Sequence, residues 1–484
     1  MIHLKEIVFS SSNKVESRKI HNDLKRGLLR PLATRIFTSN LDDTPENIIN
    51  RNWFIILSHL FPDAILAYRS AIEVKPFDGH IYLAYKYSKN ITLPGLTIHL
   101  IKGPEKKFGA VPFFGNLHRS TEPRLFLENL QRTRGNNSPS KTLTQEDLEN
   151  KLDTIIRTRG EHALNKVREE ARILAPSLHM EREFEELNKI IGALLSTKPS
   201  NILNSELAIA RAYGEPFDPE RDAIFTELFL HLNRLTFKNY KNLNTTEKSY
   251  NAFAFFESYF SNFIEGTEFE IDEARQIIST GIPIPMRDED SHDILGTYRI
   301  VSDPTEMRLL PTSPNQLLTL LRSRHETLLS ARISKKPGEF KQINNRAGNT
   351  EFVDWQLVNG TLKRGFEYYM KLSDPFARAC FIMFLVSEVH PFLDGNGRLA
   401  RIMMNAELSS KDQSKIIIPT VYRTDYIGAI RKLTRQGDPS TYIKMLTRAY
   451  QFSSTIHGED MNQIEAYLKK CNAFESAENY ILRF

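Results

Sequence analysis

The sequence predicts a multidomain protein, with an α/β N-terminal region followed by a chain of helices that carries one β-hairpin. Three observations lead there. Residues 80–85 (His-Ile-Tyr-Leu-Ala-Tyr) and 96–100 (Leu-Thr-Ile-His-Leu) alternate as half-buried strands do, and both lie within the first 135 residues. Residues 132–142 have the Ser, Asn, Gly and Pro content of a linker. Residues 376–389 are almost wholly apolar, as in a helix buried on all sides. At 484 residues the chain has room for two or three domains.

Bulk composition narrows the class. With 40% hydrophobic and 25% charged residues, the chain reads as an ordinary globular protein. A net charge of +5 permits a local nucleic-acid surface without arguing for one. Two cysteines, Cys380 and Cys471, give no disulfide framework, which predicts a reducing, cytoplasmic setting. No apolar run has the length of a membrane span, and residues 1–6 carry no signal-peptide pattern.

In the first region, residues 15–29 read as a helix and residues 27–38 as a hairpin, the order in which a candidate winged helix ends. Residues 50–60 read as an amphipathic helix with Trp53, Ile56 and Leu57 inward. The layout resembles the AbiEi-like antitoxins, which join a winged helix to a small α/β domain. On that reading DNA is a partner, with Lys14, Arg18, Lys19, Lys25, Arg26 and Arg30 as phosphate contacts. A scaffold or target-docking domain is the other reading.

Thr144-Gln145-Glu146-Asp147 opens a helical segment to about residue 196, and residues 198–201 (Lys-Pro-Ser-Asn) break it. Helix returns over 221–235. Residues 251–265 read as an aromatic-rich helix closed by Gly266. Glu265 falls in its last turn, where a carboxylate opposes the macrodipole and needs a cation. Residues 315–329 read as helix. The turn pairs Asn344-Asn345 and Gly348-Asn349 then predict a hairpin. Residues 415–426 lead into a helix that ends at 435–438, and residues 459–484 read as a terminal helix.

The chemistry concentrates in residues 390–401, His-Pro-Phe-Leu-Asp-Gly-Asn-Gly-Arg-Leu-Ala-Arg. Ser373-Asp374-Pro375 starts the apolar helix before it, and Pro391 ends that helix by restricting His390. A second helix is predicted from near Asn396 through Ala406. His390 is a base near neutral pH. Gly-Asn-Gly at a helix start makes an anion nest, and Arg398 and Arg401 share a helix face. A carboxylate, a nest and two arginines suit a metal-bound polyphosphate.

This stretch resembles, at every defined position, the Fic family signature His-Pro-Phe-x-Asp/Glu-Gly-Asn-Gly-Arg-x-x-Arg. The resemblance spans about residues 205–455 and implies an all-α Fic domain with a β-hairpin flap. The expected division is 1–135 (α/β), 136–204 (linker and helices), 205–455 (Fic) and 456–484 (C-terminal helix). The implied activity is protein adenylyltransfer: AMP moves from ATP to a Ser, Thr or Tyr hydroxyl of a protein target, with Mg²⁺ on Asp394. Alternatives are a Fic enzyme with another nucleotide donor or a deAMPylating activity, or a DNA-binding regulator with a nucleotide-sensing Fic domain.

The resemblance makes His390 the catalytic base and assigns nucleotide contacts to Asp394, Gly395, Asn396, Gly397, Arg398, Leu399, Ala400, Arg401 and Tyr426. At Tyr426 the family's paired tyrosines are replaced by Tyr426-Ile427. Ser261, Glu265 and Gly266 resemble the family's inhibitory motif, which implies autoinhibition through a Glu265–Arg401 pair. Phe340, Ile343, Ala347, Gly348, Asn349 and Thr350 fall in the flap, whose edge holds a target by strand addition. Self-modification and a homodimer are further expectations, and a membrane is not.

Overall fold

The computed structural model describes residues 5–104, 107–131, 139–195 and 201–484. The start of the chain at residues 1–4, most of the expected linker (132–138) and the breaker at 198–200 lie outside the described residues. The chain forms two compact units, Met1–Gly214 and Glu215–Phe484. The helices of residues 145–194 therefore belong to the same unit as the α/β region.

The first unit opens with a three-stranded antiparallel sheet of β1 (Ile7–Phe9), β2 (Arg30–Ala33) and β3 (Ile36–Thr38), in the order β1-β3-β2. The expected hairpin is β2–β3. The helix between β1 and β2 runs Lys14–Lys25 and stops short of residue 29, because Gly27 takes a φ of +70°. The next helix in the chain is Pro45–Arg51, beyond both strands of the hairpin. Lys14, Arg18, Lys19, Lys25 and Arg26 are exposed, but Arg30 is half-buried and donates to Asn40 O and Asp43 O. Arg30 is therefore withdrawn from the candidate phosphate contacts.

Residues 50–60 are two helices, Pro45–Arg51 and Trp53–Leu60. The break falls at Asn52, whose backbone leaves helical geometry (φ −110°, ψ 14°) and whose side chain donates to Ile48 O and to Glu6 at 2.9 Å each. Trp53, Ile56 and Leu57 are buried as expected. A mixed sheet follows, of β4 (Ile65–Leu66), β5 (His80–Tyr85), β6 (Lys89–Leu93), β7 (Leu96–Lys102), β8 (Ala110–Phe114) and β9 (Leu117–Ser120), in the order β6-β7-β5-β4-β9-β8. The pairs β5–β7 and β4–β9 are parallel. The helix Gln145–Leu178 begins with a Thr144–Asp147 capping box and kinks at Gly160.

The second unit is helical apart from the hairpin of β10 (Arg346–Ala347) and β11 (Thr350–Glu351). Its centre is the helix Pro375–Val389, on which Phe376, Phe381, Met383, Phe384 and Leu385 are all fully buried. Asp374 caps it by accepting the Ala377 N–H at 2.8 Å, with Pro375 in the first turn. The next helix, Asn396–Ser409, packs against it and runs one turn beyond the expected end. The terminal segment departs from expectation. Only Met461–Lys470 is helical, because Asn472 turns left-handed (φ 61°) and the Ala473 N–H closes back on Leu468 O at 2.9 Å.

The central helix should therefore respond unequally to two substitutions. Phe381→Ala leaves a cavity and should cost about 3–5 kcal/mol, whereas Asp374→Ala loses one cap and should cost about 1 kcal/mol. Chemical denaturation of both variants measures the difference.

Candidate active site

His390 is the residue after the central helix, and its backbone is left-handed, with φ 50° and ψ 58°. A non-glycine residue held there stores about 1–3 kcal/mol of strain. Its ring stacks on Phe352 at 3.7 Å between centroids and 5° between planes. Nδ1 lies 3.3 Å from Ser387 O. A carbonyl only accepts, so Nδ1 carries the proton and Nε2 is the basic nitrogen. Burial and then the Lys341 charge bring the imidazole down to about 4, against the pull of Ser387 O, Glu265 and Asp394. The ring is neutral, and able to take a proton, throughout the neutral range.

The loop after His390 is closed on itself. Asn396 Oδ1 accepts the Phe392 N–H at 2.9 Å, and Asn396 Nδ2 donates to Phe392 O at 2.9 Å. Gly395 is left-handed (φ +73°) and starts the helix Asn396–Ser409. The N–H groups of Asn396, Gly397 and Arg398 are in its first turn, where no intrahelical acceptor exists. Leu399 and Ala400 are fully buried, and the Leu399 N–H is held by Gly395 O at 3.0 Å, so neither offers a side chain to a ligand.

Asp394 accepts the Gly395 N–H at 2.6 Å, lies 3.9 Å from Lys335 Nζ, and its side chain is 38% exposed. Among the described residues no group of three or more His, Cys, Asp or Glu could cage a metal. A lone accessible carboxylate beside an anion nest still fits Mg²⁺, which is commonly held by one carboxylate plus substrate phosphates.

The two arginines differ. Arg398 is buried and already paired, with Nη1 2.7 Å from Asp293 Oδ2 and 3.3 Å from Asn262 Oδ1. Arg332 forks onto the same Asp293, at 2.7 Å. Arg401 is also buried. Its Nε donates to Ser261 Oγ at 3.0 Å, Nη1 to Tyr426 OH at 3.2 Å, and Nη2 to Ser261 O at 2.8 Å and to Glu265 Oε1 at 2.7 Å. Tyr426 is buried, and its phenol is held protonated by that burial.

Ser261 and Glu265 come from the helix Glu247–Ile264, with Gly266 just beyond it at φ +91°. Phe253, Phe256, Tyr259 and Phe260 bury its apolar face. A second cation, Arg423, donates to Ile264 O at 3.0 Å and also answers the negative end of this helix. The Glu265 carboxylate lies directly against Gly397: a Cβ there would be 2.2 Å from Oε1. Glu265 therefore sits on Arg401 and on the first turn of the helix Asn396–Ser409 together.

The flap residues divide. Phe340 packs on Phe392 at 5.0 Å, under Arg322, and belongs to the fold. Ile343 is 64% exposed, and Ala347, Gly348 and Asn349 are exposed at the hairpin tip. Thr350 accepts from Arg435 at 3.2 Å.

Four residues escaped the sequence reading. His325 accepts the Gly338 N–H on Nδ1 at 2.9 Å, donates from Nε2 to Asp394 O at 3.1 Å, and stacks on Phe392. Asp293, Phe352 and Lys341 complete the set. Their partners lie far off in sequence, so no local pattern marks them.

Residues 316–408 match the Fic/DOC family. The chain is 25% identical over 212 residues to the protein adenylyltransferase Fic of Drosophila willistoni, covering 39% of this chain and 40% of that one. It is 22% identical over 274 residues to the protein adenylyltransferase fic-1 of Caenorhabditis elegans, covering 56% and 53%. The chain thus spans between two-fifths and about half the length of these curated relatives. Among solved structures, C. elegans Fic-1 (residues 134–508) aligns with a TM-score of 0.37 and 17% identity, over 68% of this chain and 99% of that one. Residues 316–408 thus form a Fic domain within the second unit.

The depressed imidazole gives a stability test. The folded state holds His390 neutral down to about 4, while an unfolded chain takes up that proton near its ordinary value of 6.5. Its contribution is complete above that value and is lost as pH falls through the window between the two. Within the window it should give a slope of about 1.4 kcal/mol per pH unit at most. Denaturation across that window should show a slope smaller in His390→Gln than in wild type by up to that amount, the buried His325 keeping its own contribution.

Proposed function

We propose that this chain is a protein adenylyltransferase that moves AMP from ATP to a Ser, Thr or Tyr hydroxyl of a protein target, and that Glu265 holds it inactive. The observation that carries the reading is the joint position of the Glu265 carboxylate on Arg401 and Gly397, beside a histidine whose Nε2 is unprotonated. An acidic group seated at a helix start and on a buried guanidinium marks where an anionic ligand is bound. The adenylyltransferase names of the relatives supply the reaction class.

In this mechanism the phosphates lie over the first turn of the helix Asn396–Ser409, and Arg401 exchanges Glu265 for a phosphate oxygen. A target segment lies along the exposed hairpin. His390 Nε2 takes the hydroxyl proton, and the freed oxygen attacks the α-phosphorus in line. The bond to the bridging oxygen breaks and pyrophosphate leaves. Asp394 would hold Mg²⁺, which when bound neutralises charge on the phosphate oxygens. The N–H groups and Arg401 carry the rest of that charge, so the protein acts mainly by positioning and electrostatics. Among the described residues no helix is long and apolar enough to cross a membrane. DNA binding and a homodimer gain no support from the fold or from the relatives.

The position of the radiolabel tests the reaction. The full chain carrying Glu265→Gly, which removes the inhibiting carboxylate, should attach label to lysate protein from ATP labelled at the α-phosphate and none from ATP labelled at the γ-phosphate. His390→Ala should abolish labelling. Transfer from the γ-label, or undiminished labelling by His390→Ala, would remove this function.

A further inference from the structure

Lys341 is a buried cation outside the signature, 3% exposed, at the root of the flap hairpin. Its contacts bracket the catalytic histidine. Its backbone N–H donates to Pro391 O at 2.8 Å, the residue just after His390. Its ammonium reaches Val389 O at 3.5 Å, the residue just before His390, and donates to Asn345 Oδ1 at 2.7 Å. Val389 O is one of the last carbonyls of the central helix, which lack an intrahelical donor, so the ammonium helps to cap that helix.

Asn345 extends the same tie. Its Nδ2 donates to Phe392 O at 2.9 Å, and its carbonyl accepts the Phe352 N–H at 3.3 Å. Phe352 is the ring stacked on the imidazole. Contacts from the hairpin root therefore reach residues 389, 391 and 392 and the face of His390 itself. A left-handed non-glycine backbone persists only where its surroundings over-determine it. Lysine is almost never fully buried without a partner, which makes this position costly for a residue with no role.

We propose that Lys341 is a positioning residue that ties the flap root to both peptide neighbours of His390 and holds the imidazole in its strained, reactive pose. The inference rests on the reading of His390 as the base. The charge of Lys341 works in the same direction. The charged groups facing His390 are Lys341 from the hairpin root, Glu265 from the end of the helix Glu247–Ile264, and Asp394 from its own loop. Lys341 opposes a second proton on the ring, and the two carboxylates favour one. Burial brings the Lys341 ammonium down to about 8, with Asp354 raising it and Arg221 lowering it, so it remains charged at neutral pH.

The test compares the full chain with Lys341→Met, which keeps the length of the side chain without its charge, and Lys341→Arg, which keeps the charge. Two readouts are taken: the NMR titration midpoint of isotope-labelled His390, and the rate and pH profile of AMP transfer with Glu265→Gly added to each chain. In Lys341→Met the midpoint should rise by about one pH unit, and the transfer rate should fall about tenfold or more. Lys341→Arg should keep the midpoint and recover part of the rate. An unmoved midpoint or an unchanged rate in Lys341→Met overturns the proposal. Should near-ultraviolet circular dichroism show that Lys341→Met is unfolded, Lys341→Gln takes its place with the same expected outcomes. Absence of transfer by the Glu265→Gly chain under all conditions would refute the base reading instead, and the titration midpoint would still decide the role of Lys341.

Discussion

Arg401 has little water to turn to, and the site is arranged around that fact. Its guanidinium is 4% exposed and uses all three nitrogens on protein acceptors. Three of those acceptors are neutral: the Ser261 hydroxyl, the Ser261 carbonyl and the Tyr426 phenol. Only Glu265 carries the opposite charge. The Glu265 side chain is 34% exposed while Arg401 is buried, so removing the carboxylate leaves the guanidinium as a buried charge without compensation. Whatever displaces Glu265 must therefore be an anion, and a terminal phosphate oxygen meets the requirement. In the proposed function, one arginine serves two anions in turn, and the protein's resting state is the one in which its own carboxylate wins.

The backbone adds to that competition. Glu265 sits at the negative end of one helix and the positive start of another. The first unfavourable term is offset by Arg401 and by Arg423 on Ile264 O, and the second term is favourable. Residue 397 must be glycine in this state, because any Cβ would overlap the carboxylate. The same bare backbone is what a phosphate needs for close approach. His390 stands at the other edge, strained, neutral, and stacked on Phe352. His390 and Arg401 thus depend on contacts made by different segments: the hairpin root for His390, and the helix Glu247–Ile264 for Arg401.

Much of this was legible in the sequence because the signature is contiguous and its neighbours obey local rules. Asp374-Pro375 marks a helix start, Pro391 a helix end, and Gly266 the close of an aromatic helix. Glu265 was legible for the opposite reason, as a carboxylate at the wrong helix end. What stayed hidden depends on tertiary pairing. Asp293 reaches Arg398 and Arg332 across 105 and 39 residues, and His325 reaches Asp394 across 69. Neither aspartate nor histidine breaks a local pattern where it stands. The helix expected over 50–60 is interrupted at Asn52, where the backbone leaves helical geometry, and the terminal helix ends early because Asn472 takes a left-handed turn. Ser and Asn content could not say which asparagine would interrupt a helix.

The central claim is that Glu265 and the phosphate compete for Arg401 and the start of the helix Asn396–Ser409. The most direct measurement is the rate of AMP transfer from α-labelled ATP, to the chain itself and to lysate proteins, by wild type, Glu265→Gly and Arg401→Ala at matched concentration. A net bias of about 1.4 kcal/mol towards the closed pair corresponds to a tenfold change in the competent fraction. The account predicts that Glu265→Gly is faster than wild type by about that factor or more, and that Arg401→Ala is slower in either background. A Glu265→Gly chain no faster than wild type on both acceptors would contradict it.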